Sequence, residues 1–108
     1  MLEAALREAA GSGVALRFCD LGAWRERPLL AEYEPASRSI VVNERVVAGL
    51  RALQGDAFAA RFAAFAIWHE LYHASGGAGG ERAAHAYAAA KTGLDVGLFE
   101  RAARNVPA

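Results

Sequence analysis

The sequence predicts an α+β domain: a small antiparallel sheet of about three strands packed on a long central helix and further helices. Two observations predict it. Short apolar runs bounded by Gly, Pro, Ser and Asn fall before residue 44. From Glu44 onward the apolar residues recur at helical spacing, interrupted at Gln54-Gly55, Ser75–Gly80 and Thr92-Gly93. Strands grouped ahead of helices, rather than alternating with them, mark the α+β class. At 108 residues the chain is expected to form one domain over 1–108.

Each element has a local reason. Leu2, Ala5, Leu6 and Ala9 recur at helical spacing with Glu3, Arg7 and Glu8 elsewhere on the wheel, and Gly11-Ser12-Gly13 ends that helix. Val14–Phe18 reads as a strand. Asp20–Pro28 is a polar loop carrying Trp24. Leu29–Glu34 and Ile40–Asn43 read as two more strands, joined by the turn Pro35–Ser39 into an antiparallel hairpin. Asn43 is placed to cap a helix over Glu44–Leu53, and Asp56 to cap the next, over Ala57–Ala74. That second helix has Arg61 as its only charge before His69 and is therefore expected to be buried on several sides. Ser75–Gly80 forms a flexible turn, Glu81–Lys91 resumes helix, and Asp95–Asn105 gives a last helix stopped by Pro107.

Composition excludes several functions. The chain is 55% hydrophobic with a formal net charge of zero, so bulk charge does not drive binding to nucleic acid or a membrane surface. Much of the apolar fraction is alanine, which buries little area per residue; a metal or a partner could make up the shortfall. The single cysteine, Cys19, forbids an internal disulfide and fits a reducing compartment, most simply as a buried thiol. The N-terminus shows no basic region with a long apolar block, and no uncharged stretch reaches the length of a bilayer span. A cytoplasmic protein is expected.

The chemistry is concentrated in His69-Glu70-Leu71-Tyr72-His73, an H-E-x-x-H pattern. Residues i and i+4 lie about 40° apart around a helix, so both imidazoles point at one spot, where Zn²⁺ accepts two nitrogens at about 2.0–2.1 Å. Glu70 lies about 100° from His69, close enough to hold a water and too far round to chelate. That is the place of a general base. Phe58, Phe62 and Phe65 fall within about 40° of His69, so the histidines continue an inward aromatic face. A catalytic zinc site usually takes a third protein ligand and leaves the fourth position to water. The candidates are Glu81 and His85, another i, i+4 pair, on a helix that the short glycine turn folds back beside the first. Glu81 falls near the level of His73 and His85 nearer that of Glu70 and His69, and either closes the site.

His69-Glu-Leu-Tyr-His73 followed by Glu81-x-x-Ala84-x-x-Tyr87-Ala88 resembles the ImmA/IrrE-type zinc metallopeptidases, a gluzincin-like group. Ala31-Glu-Tyr-Glu-Pro35 and Arg38-Ser-Ile-Val-Val-Asn43 are similar to that family's hairpin. The resemblance spans about residues 14 to 91. It implies a zincin-like core with His69 and His73 as ligands, Glu70 as base, Glu81 as third ligand, and His85 in a position the family fills with a small polar outer-shell residue. Tyr72 stands where the family commonly has glycine, and the spacer before Glu81 is short, which keeps His85 in play as the alternative third ligand. An H-E-x-x-H-x-x-G metzincin reading fails because its third histidine would fall at Gly79.

The expected function is zinc-dependent hydrolysis of a peptide or protein substrate, with narrow range. Tyr33, Tyr72 and Tyr87 are candidates to stabilise the oxyanion, Tyr72 being preferred. The alternatives are a zinc-stabilised binding protein without hydrolase activity and a peptidase tied to one regulatory protein partner.

Overall fold

The computed structural model describes residues 1–106; the Pro107 helix stop lies outside the described residues. Five helices and three strands follow in the order α1 (Leu2–Gly11), β1 (Ala15–Cys19), β2 (Ala31–Glu34), β3 (Ser39–Asn43), α2 (Glu44–Gln54), α3 (Asp56–Ala74), α4 (Gly80–Thr92) and α5 (Val96–Arg104). The class is α+β. No helix among the described residues is long and apolar enough to cross a membrane.

The sheet is mixed rather than antiparallel. Its order is β1-β3-β2, with β2 antiparallel to β3 and β1 parallel to β3, Ala15 facing Ser39 and Cys19 facing Asn43. Reading consecutive strands as neighbours gives an up-and-down meander. Instead the segment from Asp20 to Leu30 crosses the end of the sheet, β2 descends along the far edge, and β3 rises in the gap between them.

One side chain fixes that crossing. Asn43 is fully buried. Its Oδ1 accepts from the backbone N–H of Leu21 at 3.0 Å and of Arg45 at 3.2 Å, the latter capping α2. Its Nδ2 donates to the carbonyls of Gly22 and Leu29, both at 2.9 Å. Its own N–H donates to the Leu30 carbonyl at 2.6 Å. One amide thus satisfies the loop, the start of α2 and the approach to β2.

α3 is the centre of the molecule, packed by α1, α2, α4, β2 and β3. Every residue from Phe62 to His69 is buried, as the near-absence of charge implies. It starts differently from expectation. Gly55, at φ +91°, is the N-cap with no side-chain cap, and Asp56 lies inside the first turn, paired with Arg51 at 3.6 Å. The Asp56 carboxylate thus acts on the helix dipole rather than on a free N–H.

α3 and α4 form an antiparallel pair tied at both ends. At one end Arg61 donates to the carbonyls of Thr92 at 2.8 Å and Gly93 at 2.7 Å, the last acceptors of α4. At the other, the Tyr72 hydroxyl donates to the Ala78 carbonyl. The Tyr72 ring lies so close over Gly77 that a Cβ there would come within 2.4 Å of it. The glycine turn is therefore held by Tyr72, not left flexible. Phe99 of α5 completes the core, stacked on Phe62 at 4.1 Å and tilted against Phe65 at 4.4 Å between centroids.

Asn43→Ala should lower stability by about 3 kcal/mol, since several buried backbone groups lose their partner at once. Asn43→Asp keeps the acceptor and loses both donors, and should fall between wild type and Asn43→Ala in urea midpoint. An aspartate variant as stable as wild type would remove the amide donors from this account.

Candidate metal centre

His69 and His73 are presented by the last two turns of α3, and Glu81 and His85 by the first two turns of α4. Because the α3–α4 turn is short, Glu81 meets the histidine face. Its Oε1 lies 2.5 Å from His73 Nε2 and its Oε2 3.2 Å from His69 Nε2. The two imidazole Nε2 atoms are 3.3 Å apart. Glu70 Oε2 is 3.6 Å from His69 Nε2. His85 stands beside His69, ring centroids 4.6 Å apart, with Phe65 on its other flank at 6.3 Å. Donor atoms of His69, Glu81 and His85 all lie within 4.8 Å of one another, and this group can hold a metal ion. Two overlapping donor sets therefore share His69 and Glu81; one is completed by His73 and the other by His85.

The donor set is chemically suited to a divalent metal ion, and two of its separations fit a tetrahedral one. Two ligands on a tetrahedral ion with bonds of about 2.05 Å are about 3.3 Å apart. The His69–His73 and His69–Glu81 separations, 3.3 and 3.2 Å, match that edge. The His73–Glu81 contact is shorter and reads as a direct hydrogen bond that a metal would open.

Burial divides the residues by role. The His69 and Glu70 side chains are 10% and 12% exposed, while that of Glu81 is 69% exposed at the rim. Burial holds the His69 imidazole below its ordinary pKa, with Glu81 opposing and His85 and His73 reinforcing. A neutral imidazole is the form that ligates. Burial also pushes the Glu70 carboxyl from 4.5 up to about 8, helped by the charges of Glu81 and Glu32 and opposed by the Tyr33 backbone amide.

A cleft of about 240 Å³ opens onto these groups. Its walls include Trp24 and Leu29 from the crossing segment, Phe65 and Glu70 from α3, His85 from α4, and Phe99 from α5. No motif marks Trp24, Val96, Phe99 or Glu100 as reaching the site, because only the crossing segment and the fold-back of α5 bring them there. None of the three tyrosines lines the cleft. Tyr72, the preferred oxyanion partner, spends its hydroxyl on Ala78; Tyr87 packs on Trp68 and Tyr72; Tyr33 packs against the core. Of the candidate donors, His69, Glu70, Glu81 and His85 line the cleft and His73 does not.

No known protein family, curated protein or solved structure matches the chain.

The raised Glu70 value has a measurable consequence for metal-free protein. A carboxyl whose folded pKa exceeds its unfolded value stabilises the fold while protonated, so stability is greatest below about 4.5 and declines as pH rises toward about 8. At about 1.36 kcal/mol per unit the decline amounts to several kcal/mol from this group. Urea titrations of chelated protein should show that decline, and Glu70→Gln should flatten it. An equal decline in the variant would assign it to other groups.

Proposed function

We propose that this protein is a zinc-dependent metallopeptidase of narrow substrate range, built on a minimal zincin-like core. The observation that carries this reading is the donor geometry: His73 and Glu81 each lie at a tetrahedral-edge distance from His69, with the buried Glu70 carboxyl beside His69 on the cleft. Imidazole and carboxylate donors in this set suit zinc. When bound, zinc would bring the pKa of a coordinated water toward about 7 and polarise a carbonyl. Glu70, which does not chelate, takes a proton from the attacking water and returns it to the leaving amide nitrogen. The cleft is small, and Trp24, Leu29, Phe65 and Phe99 stand in its lining beside the polar groups, so it favours a peptide segment that places one apolar side chain there. β2 pairs with β3 along one edge only, and its backbone at Tyr33 reaches Glu70. An extended peptide laid along that free edge would pass the base.

One observation favours a second reading, a metal that only staples the fold. A further donor, His85, stands next to His69 and Glu81, and closed four-ligand sites are the structural kind. The cleft and the placement of Glu70 support the peptidase, since a staple needs neither. A regulatory protein partner as sole substrate is compatible with the same site.

Purified protein should carry one zinc per chain by elemental analysis, and the His69→Ala, His73→Ala double variant should carry none. Chelation should lower thermal stability, by about 4 kcal/mol relative to zinc at a thousandfold excess over Kd. Glu70→Gln should keep its zinc and lose about 10²–10⁴-fold in cleavage of a mixed peptide library read by mass spectrometry. Cleavage undiminished by Glu70→Gln would overturn the assignment of the base, and stoichiometric zinc in the double variant would overturn the site.

A further inference from the structure

We propose that His85 is a fourth protein ligand of the metal centre, and an exchangeable one: it fills the coordination position facing the cleft until an oxygen donor from a substrate takes that position. The inference rests on the metal-centre reading above and goes beyond it in assigning a resting state to the site.

The first support is position. A His85 nitrogen lies within 4.8 Å of the donor atoms of both His69 and Glu81, against the edge of about 3.3 Å that tetrahedral zinc requires. The separation still to be closed is at most about 1.5 Å, within reach of a side-chain rotation. His85 follows Glu81 by one helical turn on the same face of α4, so the two donors reach toward α3 together. His85 lines the cleft with Glu70, whereas His73 does not. Glu81 reaches the cleft at its exposed rim, so of the four donors His73 alone stands away from it, and His85 stands with His69 on the side from which a substrate arrives.

The second support is that nothing else uses this imidazole. Among the described residues neither ring nitrogen of His85 has a hydrogen-bond or ion-pair partner, although the residue is half-buried between Phe65 and His69. A histidine that served only to orient a ligand would hold it by a hydrogen bond. Here the ring faces apolar carbon on one flank and the donor cluster on the other, so a metal ion is the partner its free nitrogen lacks.

The third support is ease of departure. His85 ligates as a neutral group, so its release separates no charge. One dative zinc–nitrogen bond breaks and one zinc–oxygen bond forms; no electron or proton is transferred. Released, the imidazole remains in the cleft as a hydrogen-bond donor.

The test uses the full chain loaded with zinc, with acetohydroxamate as the oxygen-donor probe. X-ray absorption should count three imidazoles on zinc in the wild type and two in His85→Gln. Saturating acetohydroxamate should reduce the wild-type count to two and leave the variant at two. The variant should bind the probe about tenfold more tightly or better, since no protein ligand must first leave. Two imidazoles in the unliganded wild type would overturn the proposal, as would three that persist with the probe bound. If His85→Gln does not fold, by circular dichroism, the two wild-type counts decide the matter alone. Wild-type protein that holds no zinc would instead overturn the metal-centre reading itself, so the two failures are distinguishable.

Discussion

Everything at the candidate site depends on the register of α4 against α3. The four donors come from two helices, and a slip of one residue would swing Glu81 about 100° off the histidine face. Arg61 and Tyr72 set that register from opposite ends, one bonding the last carbonyls of α4 and the other the turn that precedes it. These are the only charged residue between Asp56 and His69 on α3 and the bulky residue inside the H-E-x-x-H segment. Gly77 completes the arrangement, since any larger residue would displace the Tyr72 ring.

The cluster is held together against its own electrostatics. Burial disfavours charge on both His69 and Glu70, while Glu81 favours a cation beside it and repels a second anion. Burial favours the protonated form of Glu70, and Glu81 is hydrogen-bonded to His73. A divalent cation between the imidazoles would supply the positive charge that Glu81 attracts, and would let Glu70 ionise in place. Preorganisation of this kind makes the folded chain a poor solvent for its own carboxylates and a good one for a small cation.

How much of this was legible in the sequence follows from the range of each signal. The helices were readable because periodicity, glycine breaks and the Asn43 cap are local, and the H-E-x-x-H face because its geometry lies within one helix. The hairpin of β2 and β3 was legible for the same reason. The parallel pairing of β1 was not, since no residue of β1 encodes which strand becomes its neighbour; that choice is made by the crossing segment and the buried amide of Asn43. Nor were the cleft walls legible: Trp24 and Phe99 are remote from His69 in sequence and carry no motif. Tyr72 pointed the wrong way for a similar reason. Its place on the helical wheel put it near His69, but only the folded turn shows that Ala78 takes its hydroxyl.

The alanine content links the fold to the site. Ala63, Ala64 and Ala66 on α3 and Ala84 and Ala88 on α4 are buried. Small side chains let two helices approach closely, and that approach brings a glutamate on one within reach of histidines on the other. Leucines at the contact would bury more area, each worth about 1.5–3 kcal/mol, but would hold the backbones apart. The chain therefore gives up hydrophobic stabilisation where it needs proximity. It recovers part of it where proximity is not needed, in the stack of Phe62, Phe65 and Phe99. Phe65 and Phe99 of that stack also line the cleft. A small domain with this close helix pair is short of core beside a group of residues that could hold a metal ion, so an ion bound there would add stability where the packing supplies least.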